Sequence, residues 1–415
     1  MLTPEQQDTL TRVGPGTPMG SLLRRYWLPV AARCELDERP TRAVRLLGED
    51  LVLFRDARGA LGLVQQRCPH RGASLAYGSV EADGIRCPYH GWKFAHDGRC
   101  LETPAEPVGS RLPERVHARA YAARELGGLI FAYLGPEPAP LLPRFDLLVW
   151  DNCLRDIGQA LLPCNFLQIM ENSVDPHHLE WLHGHQLRVE RIARGLEPPR
   201  HYDRRHQKVR FDRFEYGILK RRVLEGGTEQ DDDWKVGHPL VFPIMLRVGA
   251  GGHHRFEFRV PVDDTHTWHV WYTCYRPADG ARAPSQPRIP LYDVPWRDAT
   301  GEHIVDTLVG QDIMTWVTAG AIADRCQEQL ASSDEGIALL RRLYLEQIEQ
   351  VGRGADPLGV VRNAAANERI ELPQEANKYR SGNAFLAESL SLGYARYSPI
   401  RKQALDLLGV PDGGS

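Results

Sequence analysis

Two short segments, Cys68-Pro-His70-Arg-Gly and Cys87-Pro-Tyr-His90-Gly-Trp, constrain this chain more than any other feature. They offer two thiols and two imidazoles from two loops. Thiolate suits zinc and iron–sulfur centres, and imidazole suits zinc and iron. Each Cys is coupled to a nearby His, not to a second Cys. That interleaving fits a two-iron, two-sulfide cluster in which one iron takes both Cys and the other takes both His. A structural zinc draws all four ligands onto one ion, usually with two to four residues between paired ligands. A single residue separates Cys68 from His70, which is tight for one ion. A zinc staple, or a pair of buried thiols, is the competing reading.

A one-electron centre needs an acceptor, and the bulk of the chain leaves room for one. Its 415 residues set a prior of about two or three domains. Lys and Arg number 51 against 54 Asp and Glu, a net charge of −3. That near balance gives no footprint for nucleic acid or an anionic membrane. No apolar run approaches the ~18 residues of a membrane span, and the start, MLTPEQQDTLTRVG, is too polar for a signal peptide. Eight Cys in so long a chain do not make a disulfide scaffold. The expectation is a cytoplasmic protein with reduced, scattered thiols outside the cluster.

The texture divides near residue 142. Residues 1–25 read as a short helical segment. From there to about 142, short apolar runs alternate with Gly, Pro and Asp turns, including a hairpin around Gly48-Glu49-Asp50 and strands at 61–65 and 129–134. This predicts a small all-β domain over 1–142 with both cluster loops at one end. The Pro-rich stretch 135–143 reads as the boundary. Residues 143–415 predict an α+β domain, an antiparallel sheet flanked by helices. Its helices are expected at 165–185 and from 306 onward, with Ser332-x-x-Glu335 as a capping box. Its strands are expected at 209–214, 217–223, 240–248, 255–260 and 267–275. Residues 352–390 read as irregular.

The acceptor is sought in Glu171-Asn172-Ser-Val-Asp175-Pro-His177-His178-Leu-Glu-Trp-Leu-His183. His178 and His183 are five apart, about 140° on an ideal helix, so a regular helix does not converge them. Pro176 disfavours an unbroken helix and Gly184 offers an end just past His183. A distorted or terminating helix brings both imidazoles to one metal. With a carboxylate from elsewhere they make the two-His, one-carboxylate face of a non-haem Fe(II) oxygenase, which leaves positions open for O₂. Asp175 before Pro176 also reads simply as a helix N-cap.

The two cluster loops resemble those of the Rieske proteins residue for residue, and most of the chain resembles the Rieske non-haem iron oxygenases. The resemblance implies cluster ligands Cys68, His70, Cys87 and His90. Asn172, Asp175, His178 and His183 match the family's Asn-x-x-Asp-x-x-His-x-x-x-x-His. His178 and His183 are then the implied iron ligands, and Asp175, with Asn172 beside it, the implied bridge to a cluster His of a neighbouring subunit. Gln311-Asp312 resembles the phthalate dioxygenase and vanillate O-demethylase branch, which makes Asp312 the implied third ligand over Asp306 and Asp324. Ala-Gly-Ala-Ile stands at 319–322 where many relatives have Gly-Pro-Ile. The implied function is the terminal oxygenase of a multicomponent system. It would take electrons from an NAD(P)H-dependent reductase, directly or through a ferredoxin, within a homotrimer or larger ring. It would O-demethylate or monohydroxylate a carboxylated aromatic, of lignin or phthalate type. Arg247 or Arg259 is expected to pair with the substrate carboxylate, because a guanidinium fork matches one. Cis-dihydroxylation, N-demethylation of a quaternary amine, and a non-enzymatic electron carrier or zinc scaffold are the alternatives.

Overall fold

Alternating apolar residues between Gly- and Pro-rich turns form the first of two contact units, residues 13–144 with 360–368. The computed structural model describes residues 1–410 apart from 279, 381 and 382. In the first unit, β1 (Trp27–Ala32), β2 (Thr41–Leu46), β3 (Glu49–Arg55) and β4 (Leu61–Gln65) enter one sheet. β5 (Ser79–Glu81), β6 (Gly84–Arg86), β7 (Lys93–Phe94) and β8 (Cys100–Glu102) make a second. β9 (Ala120–Leu126) and β10 (Leu129–Tyr133) return to the first, whose order is β1-β10-β9-β4-β3-β2. The β2–β3 hairpin turns on Leu47 and Gly48, both at positive φ, one residue earlier than expected. Val52, Phe54, Val64, Ile85 and Phe94 pack the core under the cluster loops.

The break expected at 142 is not a single cut. Leu141 N–H donates to Val361, and the Asn367 amide bonds both Arg144 N–H and the Leu142 carbonyl, so the Pro-rich stretch is clamped by a distant segment. Conversely, residues 1–12 belong to the second unit, with 145–359 and 369–415. There the helix Pro4–Thr11 is held by Arg325, whose N–H donates to Gln7 Oε1 at 2.7 Å.

The second unit is built on an eight-stranded sheet. β11 (Leu154–Leu162), β12 (His206–Phe214), β13 (Gly217–Leu224), β14 (His238–Val241), β15 (Met245–Ala250), β16 (His253–Asp263), β17 (His266–Tyr275) and β18 (Leu291–Asp293) lie in the order β12-β13-β14-β15-β16-β17-β11-β18. All pairs are antiparallel except β11 with β18. The single strand expected at 240–248 is two, because Phe242-Pro243-Ile244 turns the chain back and Pro243 has no N–H for a ladder. Helices Phe166–Ser173, Leu308–Thr318 and Glu335–Gly352 flank the sheet. Ser332 does not cap the last of these. The helix starts at Glu335, and Asp334 accepts from Ala331 N–H instead. Helix Asn383–Leu392 occupies part of the stretch read as irregular. Glu171 is buried between Arg325 and Arg341, with carboxylate–guanidinium contacts of 2.7–3.1 Å. This pins the helix Phe166–Ser173 from which the iron-site segment departs. No helix among the described residues is long and apolar enough to cross a membrane.

Candidate active site

The two cluster loops are built alike. Cys68 N–H bonds the Ala73 carbonyl and Gly72 N–H returns to Cys68; Cys87 N–H bonds the Trp92 carbonyl and Gly91 N–H returns to Cys87. Gly72 and Gly91 both sit at positive φ, the conformation such a tight return demands. Arg86, paired with Glu81, donates to the Gly91 carbonyl and fixes the second loop. Cys68 and Cys87 are buried, whereas His70 is exposed and His90 half-buried, their rings 4.6 Å apart. Burial, and then the Cys87 thiol, push Cys68 up to about 11, so a bound metal is what would favour its thiolate. The donor set fits a cluster with a buried sulfur-bound iron and an outward imidazole-bound iron.

The second group forms because the chain after Pro176 is not an α-helix. Residues Leu179–Gln186 make a π-helical turn, continued by an α-helix over Leu187–Ala193. With i→i+5 bonding, residues five apart stack instead of diverging. His178 and His183 thus face one point, their rings 5.3 Å apart. Gly184 is no terminator. A Cβ there would lie 2.6 Å from the Tyr202 carbonyl, so glycine lets the turn pack against that backbone. Asp312 comes from the helix Leu308–Thr318. Its Oδ1 lies 3.2 Å from His183 Nε2 and 3.8 Å from His178 Nε2. Ligands at ~2.0–2.2 Å from one ion lie about 2.8–3.1 Å apart at the right angles of a six-coordinate site, so the His183 pair stands near that spacing and the His178 pair wider than it. His178 Nδ1 is 2.6 Å from the Asp175 carbonyl and so carries the ring proton, leaving the Nε2 lone pair for a metal. Asp312 Oδ1 is shut off from water and has no hydrogen-bond partner among the described residues. Three lone pairs converge with nothing to share, and the set fits iron.

Among the described residues one other trio, His177, Glu180 and His206, is close enough to hold an ion. Its carboxylate is already engaged, because Glu180 Oε1 accepts from both the His206 backbone N–H at 2.8 Å and its ring Nδ1 at 2.7 Å. This contact ties the π-turn to the start of β12. The competitors of Asp312 lie elsewhere. Asp324 accepts from Cys326 N–H and does not pair with Arg325, which serves Glu171. The Asp306 carbonyl receives Arg191. Asp175 caps the turn by accepting from His177 N–H, while its Oδ2 stands 3.7 Å from His178 Nδ1. The His178 ring proton thus goes to the Asp175 main chain and not to its carboxylate. Burial pushes the carboxyl up, but the contact with and charge of His178 outweigh it and hold Asp175 down at about 2. Asp175 and Asn172 line an outer groove with the exposed Trp181, and Asn172 also borders the inner cavity.

That inner cavity runs between the sheet and the helices, with His178, His183 and Asp312 in its wall. Leu246, Val248, Trp271, Val309 and Trp316 make it apolar on several sides. Its polar wall corrects the sequence reading. Arg247 is not among the lining residues. It is buried against Asp146 at 3.1 Å and Gln374 at 2.5 Å. Arg259 does line the cavity, but Glu257 takes it at 2.8 Å and Arg255 at 2.5 Å. A cavity cation with both terminal nitrogens to spare is Arg222. Its Nε donates to Asp233 at 3.0 Å, its plane lies 4.6 Å from the Tyr379 ring, and Nη1 and Nη2 are buried without a partner among the described residues. Beside it on β13, Lys220 donates to the Ser173 carbonyl at 2.9 Å, and burial lowers its ammonium to about 7. His238, opposite Lys220 on β14, has two unpartnered ring nitrogens. Lys220 and Arg222 carried one signal in the sequence: a run of three cations, Lys220-Arg221-Arg222, inside an otherwise apolar strand, of which the first and third share a face.

Comparison with known proteins matches residues 26–115 to the Rieske [2Fe-2S] domain family and residues 298–376 to the family described as LigXa C-terminal domain like. The chain is 44% identical to the 5,5'-dehydrodivanillate O-demethylase oxygenase subunit of Sphingobium sp., over 99% of this chain and 98% of that one. It is 32% identical to the phthalate 4,5-dioxygenase oxygenase subunit of Pseudomonas putida, over 86% and 89%. Among solved structures, the terminal oxygenase of carbazole 1,9a-dioxygenase from Novosphingobium sp. shares the fold, with a TM-score of 0.58 at 20% identity over 85% of this chain and 96% of that one.

Proposed function

The chain belongs to the Rieske non-haem iron oxygenases, on the branch of the O-demethylases and phthalate dioxygenases, and within that family we propose that it demethylates a methoxylated aromatic carboxylate. It is the oxygenase component of a multicomponent system, with a [2Fe–2S] cluster, a mononuclear iron and O₂ as co-substrate. It works with electron-supplying partner proteins on aromatic substrates.

Cys68, His70, Cys87 and His90 would hold the cluster, and His178, His183 and Asp312 the iron. When bound, the iron supplies the site at which O₂ is reduced with electrons from the cluster. The residues around it do the rest. The free Nη1 and Nη2 edge of Arg222 carries the substrate reading, because it is a fork for one carboxylate inside the cavity that holds the triad. The apolar walls take the ring and exclude water, so the anchored acid presents its methoxy group to the triad. One oxygen atom enters a methyl C–H bond; the resulting hemiacetal splits to a phenol and formaldehyde. The second oxygen leaves as water with two electrons and two protons. The wall's uncompensated charge is positive, which disfavours a quaternary amine. The name of the O-demethylase relative supports the methoxy reading.

For electron entry, Asp175 would accept a hydrogen bond from a cluster imidazole of a neighbouring subunit in a ring of three or more. Its carboxylate stays ionised, one-quarter exposed, on the outer groove. The test is turnover of the iron-replete protein with a reductase and NADH on methoxybenzoates. Formaldehyde should form one-for-one with phenol, and the methyl ester of the same acid should be a poor substrate. A cis-diol without formaldehyde would replace demethylation by dihydroxylation.

A further inference from the structure

Gln311 is fully buried just before Asp312, and its side chain reaches the π-helical turn. Three polar groups surround its amide: His183 Nδ1 at 3.3 Å, the Leu182 carbonyl at 2.7 Å and the Leu187 N–H at 3.1 Å. No single orientation serves all three. With its oxygen toward His183, the amide accepts the ring N–H, but that oxygen also meets the Leu182 carbonyl, and the NH₂ meets the Leu187 N–H. Turned over, the NH₂ donates to Leu182 and the oxygen accepts from Leu187. The NH₂ then faces His183 Nδ1, which must be the bare nitrogen.

The ring proton decides between the two. A neutral imidazole carries one proton. When Nε2, which points at Asp312, gives its lone pair to an ion, the proton must sit on Nδ1 and needs an acceptor. When no ion is bound, the proton can sit on Nε2, toward Asp312 Oδ1, and Nδ1 accepts from the NH₂. The ring stays neutral throughout; only the place of its proton changes. Turning the amide does not unravel the turn, because Leu187 N–H also bonds the Leu182 carbonyl directly. We propose that Gln311 is a positioning residue whose amide turns over when the ion binds, accepting from His183 Nδ1–H and holding Nε2 on the metal.

This rests on the ligand assignment above, and metal affinity tests the two separately. The mononuclear ion is removed with the cluster retained, and Co(II) is titrated in, read by its d–d absorption and by competition with a chelator. The cluster's visible spectrum reports folding. Gln311→Glu keeps the acceptor and loses the donor, and should bind Co(II) as tightly as the parent or tighter. Gln311→Met loses both and should bind roughly 10- to 100-fold more weakly. A Met variant within twofold of the parent overturns the inference. So does a Glu variant weakened tenfold or more, which would make the donor side a mere staple; that arm decides the matter even if the Met variant does not fold. Undiminished Co(II) binding in Asp312→Ala would instead overturn the ligand assignment itself.

Discussion

Arg222 is held by one carboxylate and one ring and has four of its five N–H donors to spare among the described residues, buried in a cavity. A hydrogen bond to a charged group contributes about 1.5–3 kcal/mol. Arg222→Met should therefore raise KM for an aromatic acid roughly 10- to 150-fold, with little change in kcat. The methyl ester should lose its handicap in the variant, and steady-state O₂ uptake measures both. Lys220 next to it is costly to bury. Between about pH 7 and its unfolded value near 10.4, the folded state binds fewer protons than the unfolded one, so this residue's contribution to stability rises with pH. Lys220→Met should melt higher than the parent at pH 7, and the gap should close by pH 9.5. At this scale the pairing of the two loops was legible: the sequence sets two thiols and two imidazoles in matched segments, and the structure brings the His70 and His90 rings to 4.6 Å. The cation we propose for the substrate was not. Arg247 and Arg259 look identical to Arg222 in the sequence, and only the partners decide. Asp146 reaches Arg247 across 101 positions of chain, and Glu257 sits two residues from Arg259 on the same strand.

The decisive element is the π-helical turn. The sequence showed that a regular helix fails to converge His178 and His183, but not how the chain solves it. The solution depends on tertiary contacts. Gly184 lies against the Tyr202 backbone and Glu180 is tied to His206. A methyl at 184 meets a carbonyl oxygen, an atom that cannot swing away. Gly184→Ala should cost about 1–3 kcal/mol, lower the melting temperature, and release the mononuclear iron before the cluster; metal analysis against temperature checks the order. Strands were read well where a turn flanked them. The boundary at Pro243 was missed because β14 and β15 are both apolar and only the proline separates them.

For the whole molecule, one chain brings together three residues that could hold the iron, but its electron source lies in the partner proteins and, on our proposal, in a neighbouring subunit. Asp175→Asn keeps the cap acceptor for His177 N–H while removing the charge. It should leave cluster and iron contents unchanged and lower turnover by more than a hundredfold, seen as a fast reductase reaction at the cluster with no substrate oxidation. Sedimentation of the parent should give a trimer or a multiple of it. The two-part plan was legible, but the exchange of residues 1–12 and 360–368 between the parts was not, since each segment is placed by long-range contacts such as Arg325 with Gln7.

The five-step interval between the two iron-site histidines acts as a ruler. Removing one residue between His178 and His183 would break the five-residue stacking of the π-helical turn and swing the second ring away from the first. Loops elsewhere in this chain can lengthen or shorten and keep their ends in place. This stretch has one permitted length, and any natural or engineered version that changes it must abandon the metal or rebuild the helix around it.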